Sequence, residues 1–445
     1  MNRFLILCCT MLLFGASTAW GQGPKEANYD EMKVPSYELP DVLMTEFGEG
    51  ANQPSQWELK RRPKVLEMLA REEYGYTPTQ KLKVKYELVR EDRMALDGKA
   101  TARQVMLTFS RNGREVKALL LAYTPNGRKG RLPVFVSYNF RGNHCLTHDP
   151  DILYSPYFQR VSKDDPDLLR GTQVSRWPLE RILARGFAVV TMCYQDIFPD
   201  NPQGGPESVT QLFDAKWNEG ESRWQAIGAW AWGYSRMADW VIRQPWADKK
   251  RLIVLGHSRL GKTALWAGAQ DERFGVVISN NSGCGGAALS KREFGERVAQ
   301  ITKTFPHWFC PAFAKYGWKE RDLPFDQHWL LALIAPRHLY VASAEDDKWA
   351  DPYGEYLAAY EASRVWRKIY RISGLIRHRE LPTVNQPTLY DQIISPVKGK
   401  QTFDRRVEYH IRSGKHDITI FDWECYMDFC EIAFAKKNFW LNDAP

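Results

Sequence analysis

The chain has 445 residues, 44% of them hydrophobic and 26% charged, with 61 basic against 53 acidic side chains for a formal net charge of +8. That balance excludes a disordered or fibrous chain and leaves room for one large domain or two ordinary ones. The basic residues are scattered rather than run together, so nucleic acid is not expected as a partner and only a modest preference for anionic substrates follows.

A leader opens the chain. Arg3 supplies a positive start, Phe4–Phe14 an apolar run, and Ala19-Trp20-Gly21 a small-x-small processing site. Cleavage is expected after Gly21, with Ala19 as the alternative. The run is too short to span a membrane, so the mature protein is expected to be secreted or periplasmic, without a membrane span. Six cysteines then remain, at 145, 193, 284, 310, 425 and 430. Their spacings do not resemble a zinc site, and Cys425 and Cys430 point away from each other on a predicted helix.

Residues 22–60 are polar and proline-bearing and are predicted as an extended lead-in wrapping a single domain over 61–445. Trp57–Tyr74 has a helical pattern. Strands are predicted at Leu82–Val89, Arg103–Ser110 and Val116–Tyr123, which alternate as antiparallel strands do. Pro133–Asn139 and Phe187–Tyr194 are more continuously apolar, as central parallel strands are. A long helix is predicted at Arg223–Arg243, then further strands at Val276–Asn280, His338–Ser343 and Val407–Arg412, and a closing helix at Asp422–Lys436. Strands alternating with helices imply an α/β-hydrolase fold: a mostly parallel sheet sandwiched by helices, with an antiparallel N-terminal edge.

The stretch RLIVLGHSRLGK at Arg251–Lys262 carries the chemistry. An apolar β-branched run meets Gly256-His257-Ser258, and a helix-forming segment starts at once. A serine lifted onto such a turn has an exposed hydroxyl beside a helix N-terminus. In this fold the order along the chain is Ser, acid, His. The acid is sought after His338–Ser343, where Glu345, Asp346 and Asp347 stand in a row. Asp347 best fits the spacing to Ala350 and Pro352, and Asp346 is second. The histidine is sought after Val407–Arg412, where His416 follows a glycine turn. His410 falls inside the strand, His144 on an early loop, and His257 beside the serine faces the wrong way to be the base. Ser258 would attack an ester carbonyl, His416 relay the proton and Asp347 fix the imidazole. The Arg259 N–H would be one oxyanion donor. The second would come from the Tyr138–Asn143 loop or from the Arg259 guanidinium.

The Ser-Arg-x-Gly-Lys elbow departs from the general G-x-S-x-G pattern, because Leu260 takes the place of the second glycine. It resembles the elbow of the glucuronoyl esterases, carbohydrate esterase family 15. Ser279–Leu289, Phe305–Phe309, Leu323–Pro336, Ala342–Pro352 and Tyr409–Trp423 resemble the bacterial branch, over roughly residues 40 to 440. The resemblance implies a serine esterase without metal or cofactor, and a monomer is expected. Its substrate would be the ester between 4-O-methyl-glucuronic acid on xylan and lignin alcohols, with methyl and benzyl glucuronates also accepted. It puts Ser258 on the nucleophile, His416 on the base and Arg259 on the transition-state stabiliser. Lys262, Glu296 and Trp349 fall on sugar-contacting positions. Fungal members carry their acid just before the Ser-Gly-x-Gly-Gly stretch, where this chain reads Asn280-Asn281-Ser282, so the acid is expected at Asp347. An acetylxylan esterase on the same scaffold is the alternative, and a catalytically silent carbohydrate-binding protein is a further one.

Overall fold

The computed structural model describes residues 27–44, 48, 50–159, 165–214, 216, 219–375, 381–388 and 406–435. The leader expected at 1–21 lies outside them. Residues 54–74 are helical, with Pro54 opening the first turn, so the lead-in ends earlier than expected.

Nine strands form one sheet: β1 (Lys83–Ala95), β2 (Ala100–Arg111), β3 (Arg114–Pro125), β4 (Leu132–Asn139), β5 (Ala188–Cys193), β6 (Ala247–His257), β7 (Phe274–Asn280), β8 (His338–Ala344) and β9 (Val407–Arg412). Their spatial order is β1-β2-β3-β5-β4-β6-β7-β8-β9. The first three are antiparallel, β3 meets β5 antiparallel, and all pairs from β5 to β9 are parallel. This is the α/β-hydrolase arrangement. Parallel strands need crossovers on both faces, which is why β5, β7, β8 and β9 are buried at every position.

Residues alternate between the two faces. Val134, Val136, Leu252 and Val254 enter one apolar core, while Phe135, Ile253 and Leu255 enter the other. Each such side chain, fully buried, contributes roughly 1.5–3 kcal/mol. The helices α1 (Leu179–Ala184), α2 (Ala226–Val241), α3 (Arg259–Gln270), α4 (Pro352–Ala362) and α5 (Ile420–Ala435) close these cores. Residues of α2, α3 and α4 join the first core, and those of α1 and α5 the second. The carboxyl ends of β6, β7, β8 and β9 therefore open at one rim, where open parallel sheets place ligands.

Among the described residues no helix is long and apolar enough to cross a membrane. All six cysteines at 145, 193, 284, 310, 425 and 430 are buried and unpaired. The segment at 364–400, between the acid and the histidine, is described only over 364–375 and 381–388. Its Asn385 accepts from the Ser413 N–H (3.0 Å) and donates its own N–H to the Ile411 carbonyl (2.8 Å), bracing the end of β9.

Candidate active site

The turn from β6 into α3 puts Ser258 at φ 59°, ψ −131°, a backbone region L-residues rarely occupy. Such strain persists only where the surroundings enforce it. A Cβ on Gly256 would sit 1.8 Å from the Leu260 carbonyl oxygen, so only glycine lets helix and strand approach this closely. The Ser258 N–H donates to the Asn280 carbonyl of β7 (2.9 Å), which ties the turn to the sheet.

Two loops at the ends of β8 and β9 are stitched together. The Glu345 N–H donates to the Arg412 carbonyl (2.9 Å) and the Asp346 N–H to the Gly414 carbonyl (3.1 Å). One residue later, Asp347 Oδ2 meets His416 Nδ1 at 2.6 Å. Asp346 is exposed, so of the two candidate acids only Asp347 engages the imidazole. Burial alone would raise the Asp347 pKa. The hydrogen bond and charge of His416, with a second bond from Asn281 Nδ2 (2.9 Å), outweigh it and hold the carboxyl below the usual range. Asn281 belongs to the Asn280-Asn281-Ser282 stretch after β7, and its amide supports the Asp347 carboxylate.

Arg412 shapes the histidine loop. Its guanidinium donates to Asp422 (2.9 Å) and to the carbonyls of Ser413 (2.9 Å), Lys415 (2.9 Å) and Asp417 (2.6 Å). The result brings the His416 ring to 4.5 Å from that of His257, the neighbour of Ser258. The ring of His257, expected to face the wrong way to act as base, packs beside that of His416, and its Nδ1 is bonded to Asn280 Oδ1 (2.6 Å). Its ring is buried under His416 and its pKa is driven well below the ordinary value, by burial first and then by the His416 charge, so it packs as a neutral ring. A glycine two positions before a serine signals the turn, but not which side the intervening ring takes.

Arg259 begins α3. Its guanidinium lies 4.8 Å from the Trp308 ring centre, 5.7 Å from Phe305 and 5.9 Å from Phe140, and its Nη1 donates to Asp200. Nε is buried and has no hydrogen-bond partner among the described residues. Phe140, from the Tyr138–Asn143 loop, also sits 6.1 Å from the His257 ring, so that loop borders the site.

Lys262, one turn along α3, is buried and donates through Nζ to the Ser282 carbonyl. Burial lowers its pKa. Glu296 lies close enough to be pulled by Lys262, Asp347 and Arg259. Burial lifts its carboxyl to about 7, against the Lys262 charge and a hydrogen bond from the Trp349 side chain. The Glu296 N–H donates to the Trp349 carbonyl (2.9 Å). This contact depends on Gly295 (φ +62°), where a Cβ would lie 2.5 Å from that same oxygen. All seven residues singled out from the sequence thus gather at the one rim. Missed by sequence reasoning were Asp200 and Arg412. Asp200 sits in a Pro/Gly-rich loop far from its partners along the chain, with no periodic spacing to expose it. Among the described residues no group of three or more His, Cys, Asp or Glu is placed to hold a metal ion.

A carbohydrate esterase from an unknown prokaryotic organism is 39% identical over 439 residues, spanning 95% of this chain and 97% of its own. The chain belongs to carbohydrate esterase family 15, the glucuronoyl esterase family. A family model for fungal glucuronyl esterases matches residues 174–370. The structure of a glucuronoyl esterase from Solibacter usitatus superposes with a TM-score of 0.81 at 40% identity, covering 90% of this chain and 99% of that one. A promiscuous esterase of the same family from a marine bacterial metagenome gives 0.78 at 39% identity, covering 91% and 99%. The 4-O-methyl-glucuronoyl methylesterase of Phanerochaete carnosa is 32% identical over 232 residues, 48% of this chain and 56% of that protein.

Proposed function

We propose that this esterase, exported by its N-terminal leader, acts as a monomer on the ester between 4-O-methyl-glucuronic acid of xylan and an alcohol of lignin. Ser258 Oγ attacks the uronate carbonyl while His416 takes its proton. The tetrahedral intermediate collapses to an acyl-enzyme as His416 gives that proton to the departing alkoxide, which leaves as the alcohol. Water then repeats the sequence and releases glucuronate and Ser258. Asp347 holds the imidazole by Nδ1 and balances its positive form. Lys262, Glu296 and Trp349 bind the sugar through a cation, an acceptor and a ring face.

The observation that carries this reading is the buried Nε–H of Arg259, the residue that follows the strained Ser258, which has no hydrogen-bond partner among the described residues. A charged donor held ready in a low-dielectric site is what a developing oxyanion needs, and one such donor is worth about 10²–10³ in kcat. A deacetylase would need a small apolar acyl pocket, whereas Arg259, Lys262 and Glu296 make this rim polar. Because one relative is described as promiscuous, acetylated xylan belongs in the test. Purified protein should hydrolyse benzyl glucuronate, and Ser258→Ala should abolish turnover while keeping the fold. Acetate release without glucuronate release would overturn the assignment.

A further inference from the structure

One carboxylate in the loop after β5 collects the donors surrounding Arg259. Asp200 Oδ2 accepts from the Tyr194 hydroxyl (2.7 Å) and from Arg259 Nη1. Its Oδ1 bonds His307 Nε2 (2.8 Å) and accepts from Trp308 Nε1 (2.7 Å). Its side chain is 5% exposed. Burial favours the neutral acid, yet the Arg259 charge and the three other hydrogen bonds prevail and keep Asp200 ionised far below the usual carboxylate range.

Asp200 and its four partners come from three parts of the chain. Tyr194 and Asp200 follow β5, Arg259 opens α3, and His307 and Trp308 belong to a turn docked on α2. That turn is pinned there by the N–H groups of Ala226 and Ile227, which donate to the carbonyls of His307 (2.9 Å) and Trp308 (3.1 Å). Phe305 stacks on Trp308 with ring centres 3.8 Å apart, and Trp308 in turn supports the guanidinium face. Arg259 is thereby held by Asp200 at Nη1, near the Tyr194 hydroxyl, and along one face by Trp308, while Nε has no hydrogen-bond partner among the described residues. Buried ion pairs add little net stability, since desolvation consumes most of their attraction. What a fully satisfied pair does supply is a fixed geometry, and an oxyanion donor works only if it is already in place.

We propose that Asp200 is a positioning residue for transition-state stabilisation: it clamps the Arg259 guanidinium through Nη1, with His307 and Trp308 fixing the clamp, so that Nε remains available to the oxyanion. This rests on the reading of Arg259 given above. A double-mutant cycle on kcat for benzyl glucuronate separates the two. Arg259→Ala should lower kcat about 10²–10³-fold. Asp200→Asn should lower it about 30-fold with KM within about 3-fold, yet change it less than about 3-fold once Arg259 is alanine. If Arg259→Ala keeps nearly full kcat, the oxyanion assignment fails and the clamp with it. If Arg259→Ala is crippled but Asp200→Asn either retains full kcat or loses the same factor in both backgrounds, the clamp alone is wrong. Should Asp200→Asn not fold, Trp308→Phe carries the same test, because it removes one donor to Asp200 and keeps a ring beside Arg259. A several-fold fall in kcat that disappears in the Arg259→Ala background supports the clamp. Unchanged kcat, or a fall that persists there, overturns it.

Discussion

Two Asp–His pairs hang from the same strand, and they differ in what encloses them. His410 lies within β9 and meets Asp422 of α5 at 2.8 Å, with both side chains 0% exposed. His416, six residues on, meets Asp347 at 2.6 Å and keeps 14% of its side chain exposed. The buried pair is closed on every side. The other His410 nitrogen bonds the Tyr340 hydroxyl (2.9 Å), and Asp422 also holds Arg412 (2.9 Å) and takes a long 3.3 Å contact from Asn280. The chemistry of the two is alike, and access separates them. The first pair braces the loop on which the second works.

Breaking the exposed pair should cost activity. His416→Ala is expected to reduce kcat by about 10⁴- to 10⁶-fold with little change in thermal stability, measured by steady-state kinetics and by melting. Asp347→Asn should cost about 10⁴-fold, whereas Asp346→Asn, at an exposed position, should stay within about 3-fold. An equal loss for both would erase the distinction between these carboxylates. Breaking the buried pair should instead cost stability. Asp422→Asn leaves the Arg412 charge uncompensated and should lose about 3–5 kcal/mol in urea unfolding. His410→Gln should lower the melting temperature while leaving kcat within a few-fold.

A smaller effect concerns pH. Glu73, fully buried, has its carboxyl lifted from its ordinary value near 4.5 to about 8 by burial, which outweighs its bonds from Gln327. The folded protein thus holds a proton the unfolded chain has released. The stability this gives is complete below pH 4.5 and is lost as pH rises through about 8. Glu73→Gln should flatten that decline, so the melting temperatures of variant and wild type should diverge between pH 5 and 8. Parallel curves would mean that Glu73 is ionised throughout.

Much of the architecture was legible because alternation and apolar runs report burial directly. The strands from Pro133 onward lie where continuous Val, Ile and Leu predict them, and β1 to β3 pair as their alternation implies. The site was legible only where chain order constrains it. Ser258 stands on a turn that its neighbouring glycine makes possible, and Asp347 and His416 end adjacent strands. Lys262, Glu296 and Trp349 came from family resemblance alone, since a lysine on a helix and a tryptophan on a loop have no distinctive spacing. Asp200 and Arg412 escaped both routes. Each acts through partners distant in sequence, and such convergence exists only after the sheet has formed.

The six sealed thiols have a practical consequence. Burial raises every one of them, Cys310 to about 12 and Cys193, Cys284 and Cys430 far above their ordinary value, so the folded enzyme offers almost no thiolate to an oxidant. Air, peroxide and reductant should leave the native protein's shelf life untouched. Once heat opens the chain, six sulfurs become available together for random cross-linking. Recovery after cooling should therefore depend on whether a reducing agent was present during the melt.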